Sequence, residues 1–167
     1  MKRMSESEIT IRESQVKDAK PLMRIDKLVW NSRNSPQIPV WKSRTHYLRN
    51  CPPDNQLVAE RYGEVVGCVG WRPPTMMFSN AHVAELYIAV HPAYQGLGIG
   101  RKMMDAAKLH TMKRGIKKLR LRVLSTNEDA IRFYMRCGFK IEGRLEREYQ
   151  IDGRFVDDVL MGCWLLP

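Results

Sequence analysis

Cysteine is scarce in this chain of 167 residues, and long apolar runs are missing: none reaches the roughly 20 residues that a membrane-spanning helix needs. The four cysteines, Cys51, Cys68, Cys137 and Cys163, stand far apart without a C-x-x-C pair, so no zinc or dithiol redox centre is expected and no metal is assigned. They fall mostly inside apolar patterns, where reduced, buried thiols are the expectation. Cys51 lies near His46 in sequence, but that alone does not make a nucleophile and its base. The stretch from Met1 to Glu8 lacks the apolar segment of a secretory signal. Residues 1–8 are therefore expected to form a flexible N-terminus, and the protein is expected to be cytoplasmic with no membrane partner.

Blocks of like charge are also absent. The 28 Lys and Arg outnumber the 18 Asp and Glu for a net charge of +10, which attracts anions. A small phosphorylated ligand answers that charge as well as nucleic acid does, and the spread of basic residues from Arg44 to Arg147, without a long basic block or tail, weakens the nucleic-acid reading.

What is present fits one domain, residues 9–167, with a 44% apolar fraction sufficient for a real core. Ile9–Arg12 alternates as a strand, and Val16, Ala19, Leu22, Met23 and Ile25 mark a helix running to about Trp30. Four prolines break the stretch from Asn31 to Pro53, with a short helix expected over Trp41–Leu48. Leu57–Glu60 and Val65–Trp71 read as a hairpin, and Ala84–Val90 as a fourth strand ended by His91-Pro92. An amphipathic helix runs from Ile99 to about Gly115, and Leu119, Leu121 and Val123 alternate with Arg120 and Arg122 in a strand. Asn127 caps another helix that Gly138 stops. Strands at about 140–150 and 155–164 meet at Asp152-Gly153. This order gives an α/β domain with a mixed sheet.

The loop between the fourth strand and the amphipathic helix carries Gln95-Gly96-Leu97-Gly98-Ile99-Gly100. Glycines there let backbone N–H groups approach a pyrophosphate at a helix N-terminus. The spacing fails the dinucleotide fingerprint, which needs a third glycine three residues after the second, and Arg101-Lys102 fails the Gly-Lys-Ser/Thr of a P-loop. The run resembles the Q/R-x-x-G-x-G/A signature of the GNAT superfamily of N-acetyltransferases, with Gln95, Gly98 and Gly100 at its fixed positions. The resemblance continues through Asn127–Tyr134 and Cys137-Gly138-Phe139, and the segments 142–144 and 149–161 are similar to polyamine and ribosomal-protein acetyltransferases.

That resemblance implies a GNAT-like, mostly antiparallel mixed sheet flanked by helices, with acetyl-CoA as co-substrate and a primary amine of a small molecule or peptide as acceptor. It implies that Gln95, Gly96, Leu97, Gly98, Ile99, Gly100 and Arg101 hold the pyrophosphate, while Ile88, Ala89, Val90 and Asn127 hold the pantetheine arm. Tyr134 takes the place of the family's acid, which protonates the departing thiolate. Glu85 is the expected base, although it falls one residue off the usual register on its strand; His82, Asp157 and Asp158 are fallback bases. A homodimer is a candidate assembly. The alternative reading is a basic module that binds nucleic acid or the ribosome, with CoA regulatory or absent.

Overall fold

The computed structural model describes residues 8–165. The expected flexible segment, 1–8, therefore lies outside the described residues except for Glu8, whose carboxylate pairs with Arg61 at 3.3 Å. Seven strands form one sheet in the order β1-β2-β3-β4-β5-β7-β6. They are β1 (Ile9–Glu13), β2 (Gln56–Arg61), β3 (Glu64–Arg72), β4 (Val83–Val90), β5 (Lys118–Leu124), β6 (Lys140–Ile151) and β7 (Arg154–Trp164). The helices are α1 (Ala19–Val29), α2 (Arg44–Asn50), α3 (Ile99–Lys113) and α4 (Glu128–Arg136). This is the α/β architecture with a mixed sheet that the pattern implied. The β4–β5 pair is parallel, and β1–β2, β2–β3, β5–β7 and β6–β7 are antiparallel.

The expected helix over Trp41–Leu48 instead begins at Arg44. Ser43 is extended and its Oγ accepts the His46 N–H at 3.0 Å, which starts the helix there. Trp41 is engaged elsewhere, donating its indole N–H to Asp26 at 2.8 Å.

Two compact units contain these elements. The first takes described residues 8–29, 40–70 and 87–107; the second takes 30–39, 71–86 and 108–165. In the first, Leu22 and Ile25 of α1, Val58 of β2, Val66 and Val69 of β3 and Met103 and Met104 of α3 are buried. Each such side chain contributes roughly 1.5–3 kcal/mol of transfer free energy. The same unit buries a polar network without leaving its amide unsatisfied. Ser14 Oγ donates to Gln56 Oε1 at 2.9 Å, and Gln56 Nε2 donates to the hydroxyls of Tyr47 and Tyr87, both at 3.0 Å. Gly70 makes the network possible, because a Cβ there would sit 2.0 Å from Tyr87 Cζ. In the second unit Leu119 and Leu121 of β5, Val159 and Met161 of β7, Cys137 and Phe139 are buried. None of the four cysteines forms a disulfide, and all four are buried.

The entry to α1 is tied by a buried carboxylate. Asp18 accepts from the Arg12 guanidinium at 2.8 and 3.0 Å and from the Gln15 N–H at 2.8 Å. Burial alone would raise its carboxyl, but Arg12 and the Gln15 N–H outweigh it and hold the group below its ordinary value. A depressed folded-state pKa means stability that is present above the unfolded value, near 4, and lost as pH falls through the folded value. Asp18→Asn is expected to cost about 1.5–3 kcal/mol at pH 7, the range for hydrogen bonds to a charged group. Urea melts at pH 7 and pH 3 check this: the gap between wild type and variant narrows at pH 3.

Candidate functional site

The glycine-rich loop joins β4 to α3 within the first unit. β4 ends at Val90 as expected: His91 donates its backbone N–H to Val66 O at 2.8 Å, and Pro92 opens a short 3-10 turn ending at Tyr94. Gln95 reaches back to donate Nε2 to Val90 O at 3.2 Å, closing the loop on the strand that precedes it. Gly96 and Gly98 follow at φ +77° and +79°, a region that L side chains rarely adopt, and a Cβ on either would meet no protein atom within 4 Å. Open space combined with left-handed backbone is what a loop that admits a ligand needs.

Ile99, buried, then seats the helix, while residues 95–98 stay exposed. The first helical bond across this junction is donated by Lys102 to Gly98 O at 3.1 Å. The N–H groups of Ile99 and Gly100 therefore precede the helical ladder at the positive end of the macrodipole. An exposed stretch at 95–98, a helix N-terminus and two positive-φ glycines suit a pyrophosphate. On β4 itself Ala89 is buried and Ile88 and Val90 are half-buried. The parallel pairing with β5 covers three residues, Val83 to Glu85 against Lys118 to Arg120, and does not extend to Ile88.

Asn127, Tyr134, Glu85, His82, Asp157 and Asp158 all belong to the second unit. Asn127 caps α4, its Oδ1 accepting from the Ala130 N–H at 3.4 Å, and among the described residues its Nδ2 takes no partner. Tyr134 lies seven residues on, two turns along the same face. Its ring sits between Phe133, at 5.4 Å, and Phe139, at 5.9 Å between centroids. Burial, with Cys137 beside it, pushes the Tyr134 phenol well above its ordinary value, and its hydroxyl bonds to no described residue.

Each expected or fallback base has partners in the fold. The Glu85 carboxylate lies between two guanidiniums, with Arg72 Nε 3.3 Å from one oxygen and Arg120 Nε 3.4 Å from the other. Asp157 accepts from the Arg147 N–H at 2.8 Å and from Arg144, and these two hold its carboxyl below the ordinary range. Asp158 is buried and accepts from Arg122 at 2.6 Å and from the Tyr149 hydroxyl at 3.3 Å. His82 packs its ring against Trp164 and accepts the Lys117 and Lys118 N–H groups at its carbonyl.

Sequence reasoning did not single out Arg72, Arg120, Arg122 and Tyr149. The signal was there for two of them, since alternation with Leu119, Leu121 and Val123 puts Arg120 and Arg122 on one face of β5. The partners on β3, β4, β6 and β7 were not readable from local pattern.

The acetyltransferase (GNAT) family model matches residues 22–139. An L-amino acid N-acetyltransferase of Escherichia coli (strain K12) is 28% identical over 165 residues, covering 93% of this chain and 97% of the relative. A spermidine N(1)-acetyltransferase of the same strain is 34% identical over 114 residues, covering 65% of this chain and 57% of the relative. Among solved structures, a Salmonella typhimurium protein determined with its cofactor acetyl-CoA matches with a TM-score of 0.79 at 22% identity, covering 95% of this chain and 95% of that one. Among the described residues, no helix is long and apolar enough to cross a membrane.

Proposed function

The chain belongs to the acetyltransferase (GNAT) family, and from that premise we propose how its residues divide the work of moving an acetyl group from acetyl-CoA to a primary amine by direct attack in a ternary complex. The observation that carries the reading is the loop at 95–100, with exposed residues 95–98 leading into a helix N-terminus and two glycines at positive φ. The acetyl-CoA determined with the Salmonella protein, on the same fold, supports the same donor here. Family membership also favours the enzyme over the basic nucleic-acid- or ribosome-binding module.

In this proposal the loop N–H groups from Gly96 to Arg101 neutralise the pyrophosphate, and Ile88 to Val90 offer strand-edge groups to the pantetheine arm. Asn127 Nδ2 donates to the same arm. Acetyl-CoA supplies an activated acyl group; the C–N bond forms as the C–S bond breaks, giving an amide and the free CoA thiol. Tyr134 delivers its proton to the departing sulfur, a role that its half-buried, protonated, unpartnered hydroxyl supports. Glu85 collects the proton that the amine loses. Both its oxygens face guanidiniums, so the proton reaches it through water. The working location proposed is the cytoplasm.

The two relatives' names point to different acceptors, an amino acid and a polyamine. CoA thiol release is therefore to be followed over polyamines, amino acids, aminoglycosides and N-terminal peptides. Release that depends on one acceptor class is expected, together with a thermal shift from acetyl-CoA alone. Folded protein that shows neither release nor shift would overturn the assignment.

A further inference from the structure

The strand that carries Glu85 also belongs to a cluster that acetyl transfer, as described, leaves largely unused. Arg72 of β3 and Arg120 of β5 take one Glu85 oxygen each through their Nε atoms, at 3.3 and 3.4 Å. Two residues further along the same face of β5, Arg122 donates to Asp158 of β7 at 2.6 Å, and Tyr149 of β6 donates its hydroxyl to the same oxygen at 3.3 Å. The Glu85 charge also acts on Arg122, so the two groups form one electrostatic system.

The arrangement is layered. The carboxylates are sunk, with side chains 14% exposed at Glu85 and 2% at Asp158. The guanidiniums lie outside them, at 66% for Arg72, 37% for Arg120 and 44% for Arg122. Three cations over one buried and one largely covered anion present a surface with net positive charge. Arg72 and Arg120 spend only their Nε edges on Glu85, and among the described residues their terminal nitrogens have no other partner. Arg120 Nε is buried and meets Glu85 as an ion pair rather than as a hydrogen bond.

The parallel β4–β5 ladder ends at the Glu85–Arg120 pair, and Arg122 lies two residues past that end. Ligands of open α/β sheets bind beyond the carboxyl ends of parallel strands. Glu85 precedes Ile88 by three residues on one strand, roughly 10 Å of extended chain. We propose that Arg72, Arg120 and Arg122 recognise a carboxylate on the acceptor, so that the amine acetylated is that of an amino acid with a free carboxylate. Guanidinium forks suit such a group, because two parallel N–H donors match its two oxygens. A polyamine would instead bring positive charge to a positive surface. The proposal rests on the transferase reading above.

The test compares kcat/KM for a panel of L-amino acids, their matching α-carboxamides and spermidine, by CoA thiol release. The best acid is expected to exceed its carboxamide at least tenfold. Arg72→Gln and Arg120→Gln should each shrink that ratio to about threefold or less, chiefly through KM for the acid. Arg72 is the most exposed of the three, so Arg72→Gln leaves the fold intact, as its thermal melt will register. Carboxamides or spermidine used as well as the acids, or a ratio that survives both substitutions, would overturn the carboxylate assignment and leave the transferase standing. No release from any amine would remove the transferase reading and this one with it.

Discussion

Tyr134→Phe is expected to lower kcat about 10- to 100-fold while the KM for acetyl-CoA stays within about threefold. General acids contribute roughly 10²- to 10⁴-fold, and a thiolate leaving group, with a pKa of about 8.5, is a weak enough base to place the effect at or below the lower end of that range. The substitution removes one oxygen and keeps the ring, whose packing against Phe133 and Phe139 holds α4 and the start of β6 together. Stability should therefore change little, since the hydroxyl has no described partner to lose. Burial raises the phenol above its ordinary value, so the wild-type kcat profile should show no alkaline loss from this group up to about pH 10. Equal kcat and kcat/KM losses would mark an interaction made in the transition state. Unchanged kcat at saturating amine removes Tyr134 from the chemistry.

The parts that were legible beforehand are those decided within a few residues. Apolar alternation and glycine placed β4, the loop at 95–100 and α3, and Asn127 and Gly138 bounded α4, because capping and periodicity act locally. The strand order was not legible in the same way. β7 lies between β5 and β6, so the last strand of the chain is interior to the sheet, and nothing in Asp152-Gly153 says on which side its hairpin docks. The Gln56 network escaped for a related reason. Its partners stand 42, 9 and 31 positions away, and a lone glutamine opening a strand carries no mark of burial. Glu85 shows the same limit at the site. Its register on β4 was readable, yet what that register means depends on Arg72 and Arg120, which reach it from two neighbouring strands.

Gly98→Val should raise the KM for acetyl-CoA on the order of 100-fold, with kcat at saturation far less affected. Two effects combine and can be separated. At φ +79° any L side chain carries strain of roughly 1–2 kcal/mol, which lowers stability whether or not a ligand is present. The protein leaves open space where the new Cβ would lie, so no clash adds to that strain in the free enzyme. The rest of the cost falls on the ligand, because the added methyls occupy the approach to the loop N–H groups and forfeit charge-assisted hydrogen bonds worth about 1.5–3 kcal/mol each. Gly115 provides the control, since it ends α3 at φ +86° with equally open surroundings. Gly115→Val should lose comparable stability in a urea melt and keep the wild-type KM for acetyl-CoA. A KM that rises equally in both variants would trace the effect to general destabilisation. A KM that rises only in Gly98→Val ties the donor to this loop, through a measurement that needs no knowledge of which amine is best.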